Sequence, residues 1–277
     1  MYAEPICEPT DVGRDGLAKL LEAHDSEHSK KVLFSEIRPI KSLCAAKGLL
    51  TERGYKYFDY SNYIQNLGGS IAPVQSRAKK MLQKVRSSIR RGAEVQRLDA
   101  TKQNIARAYR VIQHSYYRAQ VPLAPIEVFM SAAECLPEGV LCIRMLRHQG
   151  QDVAAAIGLS FGDRYFAWYN GSTRPAALPA TTGVLVWDEI QQAHQAGHSY
   201  YDFGGAGWPK KSYGPRVFKS RFKGTLTNHG RYRKVYSPLK LNVARAGYFL
   251  LRGKISPRMR LFPNSEMLSA PASDGGV

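Results

Sequence analysis

Tyr200-Tyr201-Asp202-Phe203-Gly204-Gly205-Ala206-Gly207 is the stretch from which the rest of the chain is read. Residues 199–203 form a short aromatic strand that runs into a glycine cluster. Glycines at a strand end let the backbone approach a ligand closely and leave amide donors available. Fourteen residues after Gly205 comes Lys219, inside Val217-Phe218-Lys219-Ser220-Arg221-Phe222-Lys223-Gly224. A strand with an acid and glycines, followed by a lysine framed by phenylalanines, can surround a small reacting group with donors.

Upstream, residues 182–196 read as a helix, with Thr181 or Thr182 placed to cap it and Gly197 to stop it. Before it lie three strand-like runs at 140–147, 153–161 and 164–170, with turns at Gln149-Gly150 and Gly162-Asp163. Helical patterns at 104–118 and 125–133 precede them. Downstream, 211–222 is helical in part and 225–236 is a last strand pair. Three meandering strands imply antiparallel pairing, and a helix between the third and fourth implies one parallel pair. The expectation is a mixed α/β sheet.

The N-terminal part is read as a helix over 15–31, a strand over 31–37, a helix over 42–53 ended by Gly54, and an aromatic strand-like run over 55–63. Residues 76–92 form a basic amphipathic helix. Arg77, Lys79, Lys80, Lys84, Arg86, Arg90 and Arg91 lie there without an acid, and Met81, Leu82, Val85 and Ile89 recur at helical spacing. Such a face either grips phosphates or is simply solvated.

Forty Lys and Arg against 22 Asp and Glu leave a formal charge of +18. The excess points to a polyanionic partner: nucleic acid, an anionic membrane face or a phosphorylated substrate. An apolar fraction of 44% suits a chain that buries a core. Cys7, Cys44, Cys135 and Cys142 contain no Cys-x-x-Cys pair and no histidine at zinc spacing, so they read as reduced thiols and no metal site is expected. Residues 1–30 lack a signal-peptide pattern, and no run approaches the ~20 apolar residues of a membrane span. The expected location is the cytoplasm, extending to the inner face of the membrane. There is no Gly-x-Ser-x-Gly, no GxxxxGK[ST] and no cysteine with an evident histidine partner, which excludes several hydrolase and nucleotidase chemistries.

Asp202-Phe203-Gly204-Gly205 followed by Phe218-Lys219-x-x-Phe222 resembles the signature of FemABX-like acyltransferases of the GNAT superfamily, relatives of the peptidoglycan-bridge aminoacyltransferases. Arg86-Ser87-Ser88-Ile89-Arg90 resembles that family's Arg-x-x-Ile-Arg segment, and 154–160, 168–172 and Leu185-Val186-Trp187 resemble its central elements. The resemblance implies a GNAT-like fold: a partial N-terminal repeat over 1–95, a complete acyltransferase domain over 96–236, and a basic amphipathic segment with a tail over 237–277. Where family members usually carry Phe-Gly-Gly, this chain has Phe222-Lys223-Gly224. The glycine-rich CoA loop of ordinary GNAT enzymes is absent from 172–183, although a helix start there can still bind an anion.

By resemblance, the reaction is transfer of an acyl or aminoacyl group to an amine, with no bound cofactor. The donor is aminoacyl-tRNA, acyl-CoA or an acyl carrier protein, and the acceptor an amine, with a cell-envelope precursor as one candidate in cell wall biogenesis. The alternatives are an N-acyltransferase of polysaccharide or lipid-linked biosynthesis, and a non-catalytic nucleic-acid- or membrane-binding protein. The expected catalytic residues are Lys219, as oxyanion stabiliser facing the cleft, and Asp202. The expected substrate-binding residues are Arg86, Arg90, Tyr169, Tyr201, Gly204, Gly205, Tyr213, Phe218 and Phe222. Lys219 is expected to matter for turnover more than for folding. Residues 239–262, with Lys240, Arg245, Arg252, Lys254, Arg258 and Arg260 on one side and Val243, Ala246, Phe249 and Leu250 on the other, read as an interfacial helix for peripheral membrane contact.

Overall fold

In chain order the elements are α1 (Asp11–His28), β1 (Phe34–Ile37), α2 (Lys47–Glu52), β2 (Lys56–Phe58), β3 (Ser61–Asn66), α3 (Ala72–Arg77), α4 (Lys79–Arg90), β4 (Glu94–Leu98), α5 (Lys102–Ala119), α6 (Ile126–Cys135), β5 (Leu141–His148), β6 (Gln151–Phe161), β7 (Arg164–Ser172), α7 (Thr181–Gln195), β8 (Tyr200–Gly207), α8 (Gly214–Ser220), β9 (Thr225–Asn228), β10 (Arg231–Val235) and α9 (Pro238–Leu251). This computed structural model describes residues 5, 8, 10–43, 46–119 and 121–251, the side chains of 249–251 excepted. Cys7, Cys44 and the part of the expected interfacial segment beyond 251 lie outside the described residues.

The main sheet has seven strands in the order β4-β5-β6-β7-β8-β3-β9. β5, β6 and β7 form the expected antiparallel meander. Gln149 and Gly150 take φ of 51° and 76° at the first turn, the left-handed pair of a tight hairpin whose twist matches its strands. α7 returns the chain so that β8 runs parallel to β7, as the helix between the third and fourth meander strands required. That parallel ladder covers only Arg164↔Tyr200, Tyr165↔Tyr201 and Phe166↔Asp202. Beyond it the strands diverge, which leaves a V-shaped opening in the centre of the sheet.

Two apolar layers cover the sheet. On one face α4 and α7 bury Met81, Leu82, Val85, Leu185, Val186 and Ile190 against Leu146, Ala154 and Tyr165. On the other, α5 and α6 bury Ile105, Ile112 and Phe129 against Ile143, Met145 and Ile157. α5 approaches β7 so closely that a Cβ on Gly171 would lie 2.7 Å from Ile112 Cα.

The expected division at residue 95 finds no gap in the sheet: β3, from the N-terminal part, lies between β8 and β9. β4 was not anticipated; its residues are mostly polar, and pairing with β5 makes it a strand. The expected strand pair at 225–236 is not a hairpin. β9 pairs with β3, while β10 joins β1 and β2 in a separate three-stranded sheet. That small sheet packs Tyr55 and Tyr232 on Leu17, Leu21 and Leu50 of α1 and α2.

The expected helix over 76–92 is two helices, broken at Ala78. Thr181 and Thr182 do not cap α7. Ala180 holds the N-cap position, and the Thr181 hydroxyl is bonded to Ser172 Oγ at 2.7 Å. α9 packs through Leu241 and Tyr248, while Leu239 and Val243 stay exposed.

Candidate active site at the β7/β8 opening

β8 carries a bulge where it leaves β7. Its pairing with β3 runs from Ile64↔Asp202 to Asn62↔Gly205, so Phe203 and Gly204 together oppose Tyr63. Gly204 takes φ of 73° there, a conformation a side chain would strain. The Gly204 amide donates to Asp202 Oδ1 at 2.7 Å, and Arg164 donates to Asp202 Oδ2 at 3.1 Å. Asp202 is 1% exposed. Burial raises its pKa against the pull of Gly204, Arg164 and Lys219. With both oxygens engaged, its visible work is to hold the bulge.

Lys219, on α8, points its ammonium at the same bulge. Nζ donates to the carbonyls of Phe203 at 2.6 Å and Gly205 at 2.7 Å. Burial pushes its pKa down to about 8, with Asp202 opposing. An ammonium has three N–H groups, and the third has no partner among the described residues. Phe222 is fully buried with its ring tilted against that of Phe203, while Phe218 packs half-buried beside it. The two phenylalanines therefore anchor α8 rather than face a ligand. Lys223 takes φ of 60°, the left-handed position that a glycine would hold without strain. At Gly224 a Cβ would lie 2.7 Å from Ile64 O, so this glycine is required by close approach.

Tyrosines line the opening. A Cβ on Gly205 would lie 2.9 Å from Tyr60, and one on Gly207 2.9 Å from Tyr213. On the other lip stand Tyr169 of β7 and Tyr116 of α5, with ring centroids 5.8 Å apart. Burial raises the Tyr213 hydroxyl to about 12, with Tyr60 adding to it and Arg231 and Arg216 opposing. Burial also raises Tyr169, with Arg38 opposing, and Tyr116, whose neighbours are Tyr169 and Tyr213. At neutral pH all three hydroxyls remain protonated donors. Arg216 closes the loop between β8 and α8 with bonds to the carbonyls of Ala206, Trp208 and Pro209.

Three expected residues lie elsewhere. Tyr201 is fully buried, and its hydroxyl donates to Glu189 at 2.5 Å. Glu189, itself 1% exposed, also accepts from Tyr165 at 3.1 Å. Arg144 joins this network through Asp188, Tyr165 and Gln192. Tyr201 therefore belongs to the core polar network under α7, not to the opening. Arg86 and Arg90 are exposed on α4. α4 also controls the start of α7: Ser88 Oγ accepts from the Ala180 amide at 3.2 Å, Arg91 donates to Ala177 O, and a Cβ on Gly183 would lie 2.2 Å from Met81 Cε.

The sequence reading missed Tyr60, Tyr116, Arg38, Arg164 and Arg231. Only one signal was available: in Arg231-Tyr232-Arg233 a strand places both arginines on one face and the tyrosine on the other.

The matching family model is an acetyltransferase (GNAT) domain, over residues 77–220. No curated protein matches the chain at a significant level. Among solved structures, FemX is similar with a TM-score of 0.63 at 15% identity, over 86% of this chain and 79% of that one. The C-terminal domain of a putative lysylphosphatidylglycerol synthetase from Agrobacterium fabrum gives a TM-score of 0.59 at 13% identity, over 94% of this chain and 89% of that one. L-PGS from Bacillus licheniformis gives 0.59 at 13% identity, over 89% and 79%. These likenesses concern the fold.

Proposed function

Because the chain belongs to the GNAT acetyltransferase family and is thereby an acyltransferase, we propose that it moves an acyl or aminoacyl group from a polyanionic activated donor, foremost aminoacyl-tRNA, to an amine acceptor bound in the β7/β8 opening. The observation that carries this reading is the Lys219 ammonium, held on the β8 bulge with one N–H left over. The acceptor nitrogen bonds to the acyl carbon, the bond from that carbon to the donor's oxygen or sulfur breaks, and the amine proton ends on the departing atom. Negative charge gathers on the acyl oxygen meanwhile. A fixed ammonium in a water-poor cleft stabilises that charge far better than a solvated one. Asp202 and Arg164 act as positioning residues, because they fix the bulge that Lys219 grips.

The polyanionic donor is supported by α4 and the helix before it, where Arg77, Lys79, Lys80, Lys84, Arg86 and Arg90 are exposed. Acyl-CoA is the less favoured donor, because at the start of α7 the Ala180 amide is already taken by Ser88 Oγ and is not left for a pyrophosphate. An acidic carrier protein suits the same basic face and is the second reading, as in polysaccharide or lipid-linked biosynthesis. For α9, exposed Leu239, Val243 and Ala246 at i, i+4 and i+7 support a peripheral membrane contact. No helix among the described residues is long and apolar enough to cross a membrane.

The deciding experiment offers charged tRNA, acyl-CoA and acyl carrier protein in parallel with an amine acceptor, and follows donor consumption. Consumption of charged tRNA is expected. Consumption of acyl-CoA alone would reject both aminoacyl-tRNA and an acidic carrier protein as donor, and consumption of none would reject the reaction.

A further inference from the structure

α4 and α7 pack together on one face of the main sheet, and a slot of about 220 Å³ stays open between them. Its walls are Leu82, Val85 and Ile89 of α4 and Trp187 of α7. Ile89 is 50% exposed, a large apolar side chain on a helix that also exposes Lys84, Arg86 and Arg90. Ser88 meets Ala180 and Met81 meets Gly183, so the two helices run in opposite senses. That sense brings Gln75 of α3 and Gln191 of α7 toward the same end of the slot, which both side chains line. Neither side-chain amide has a hydrogen-bond partner among the described residues.

Arg86 borders the same slot and has no ion-pair partner among the described residues. Asp188, the acid next to Trp187, is already held by Arg97 and Arg144. The slot therefore joins apolar walls, two unused amides and an uncompensated guanidinium. A hydrocarbon chain, or an apolar knob from a partner helix, would fill the walls and leave the amides desolvated without partners. A nucleobase meets all three features: its ring lies against the walls, its edge offers donors and acceptors, and its phosphate suits Arg86. A glutamine amide pairs bidentately with N6 and N7 of adenine. The slot is smaller than the ~300–1,000 Å³ of pockets for whole small ligands, so it takes one ring system. Trp187 and Gln191 lie about 9–15 Å along α7 from Thr181, where the chain has just left β7 and the opening.

We propose that the slot between α4 and α7, with Gln75 and Gln191 at one end and Arg86 on its rim, holds an unpaired adenine base of the RNA that donates the acyl group. The inference rests on the aminoacyl-tRNA reading for the word donor alone; the base slot stands on its own geometry. The exposed cations of α4 outside the slot contact phosphates and position the strand, whereas the two amides read the base. The base has to be unpaired, because only then does its edge reach side chains between two helices.

The test is equilibrium binding of labelled single-stranded oligoadenylate and oligouridylate of equal length to the full chain, read by fluorescence anisotropy at constant ionic strength. The wild type is expected to bind oligoadenylate about 10-fold more tightly, the size of one bidentate amide–base contact. Gln191→Leu keeps the side chain's bulk and is expected to erase that preference. Gln75→Leu is the second variant, and thermal melts confirm that both fold. Lys84→Gln, a phosphate contact outside the slot, is expected to weaken both strands equally and keep the preference, with a salt dependence shallower by about one. A merely structural role for the glutamines would leave the base preference unmoved. Equal binding of the two strands by the wild type overturns the slot, as does an undiminished preference in both glutamine variants. Coenzyme A, which also carries adenine and phosphate, is added as a competitor. Gln191-dependent binding of coenzyme A without any preference between the strands would give the slot to that nucleotide and overturn the RNA assignment. Gln191-dependent binding of an acidic amphipathic peptide, again without strand preference, would give it to a carrier protein. A Gln191-dependent adenine preference without consumption of any acyl donor would sink the acyl-transfer reading and leave the base slot intact.

Discussion

The Lys219 ammonium donates to the Gly205 carbonyl at 2.7 Å, across fourteen residues of chain and from a different element. Together with the bond to Phe203 O, it makes one side chain both a brace for the β8 bulge and the proposed oxyanion donor. The expectation that Lys219 matters for turnover more than for folding therefore acquires a stability side, because two buried carbonyls depend on the same ammonium. Lys219→Ala is predicted to cost about 1–3 kcal/mol of stability through the two abandoned carbonyls. It is also predicted to lower kcat by a factor of about 10²–10³. Chemical denaturation and steady-state kinetics read the two effects separately, and an unchanged kcat at saturating substrate would remove the oxyanion role.

The acyl-transfer rate is predicted to fall as pH rises through about 8, because deprotonation removes the charge that faces the oxyanion. Lys219→Arg, slower overall, keeps its charge and should lose this alkaline limb. A wild-type rate that climbs steadily to pH 10 contradicts the assignment. Stability moves the other way. The unfolded lysine holds its proton up to 10.5 and the folded one only up to about 8. Between these values the unfolded state binds more protons, so this group's contribution to stability rises with pH across that window.

Lys223→Gly is predicted to stabilise the protein by about 1 kcal/mol, the usual cost of an L-residue in the left-handed region, less the entropy glycine adds to the unfolded chain. The measurement is the denaturation midpoint. A lower midpoint would mean that the Lys223 side chain makes a contact worth more than the strain at φ of 60°.

Glu189→Leu should destabilise by about 3–5 kcal/mol, because it leaves Arg144 buried without this partner and takes the acceptor from the hydroxyls of Tyr165 and Tyr201. Glu189→Gln, which keeps an acceptor oxygen, should cost less. Near-equal melting temperatures for the two variants would show that the network is not held through this carboxylate.

Val243→Glu is predicted to abolish binding to anionic vesicles while leaving acyl transfer to a soluble amine unchanged, since Val243 is 66% exposed on α9. Vesicle sedimentation checks it, and wild-type sedimentation by the variant would end the membrane proposal.

Local pattern was enough for the centre of the molecule. The turn glycines, the alternation in β5 to β7 and the helical spacing of α7 are each written within about fifteen residues, and together they require one parallel pair beside an antiparallel meander. The Asp202–Gly205 bulge and Lys219 were legible for the same reason, since glycines and a framed lysine stand out one residue at a time. Pairings made across the whole chain were not legible. β3 enters the sheet from well over a hundred residues before β8, and β9 and β10 part into different sheets although Gly230 alone marks the turn between them. Tyr201 and Tyr213 look alike in sequence, yet one lies under α7 on Glu189 and the other at the opening. Arg38 and Arg231 meet on Glu36 only because β1 and β10 are neighbours. Sequence periodicity determines which face of its own element a residue takes. Which distant element that face meets, and so whether a polar group becomes core or site, is decided by packing and pairing in three dimensions.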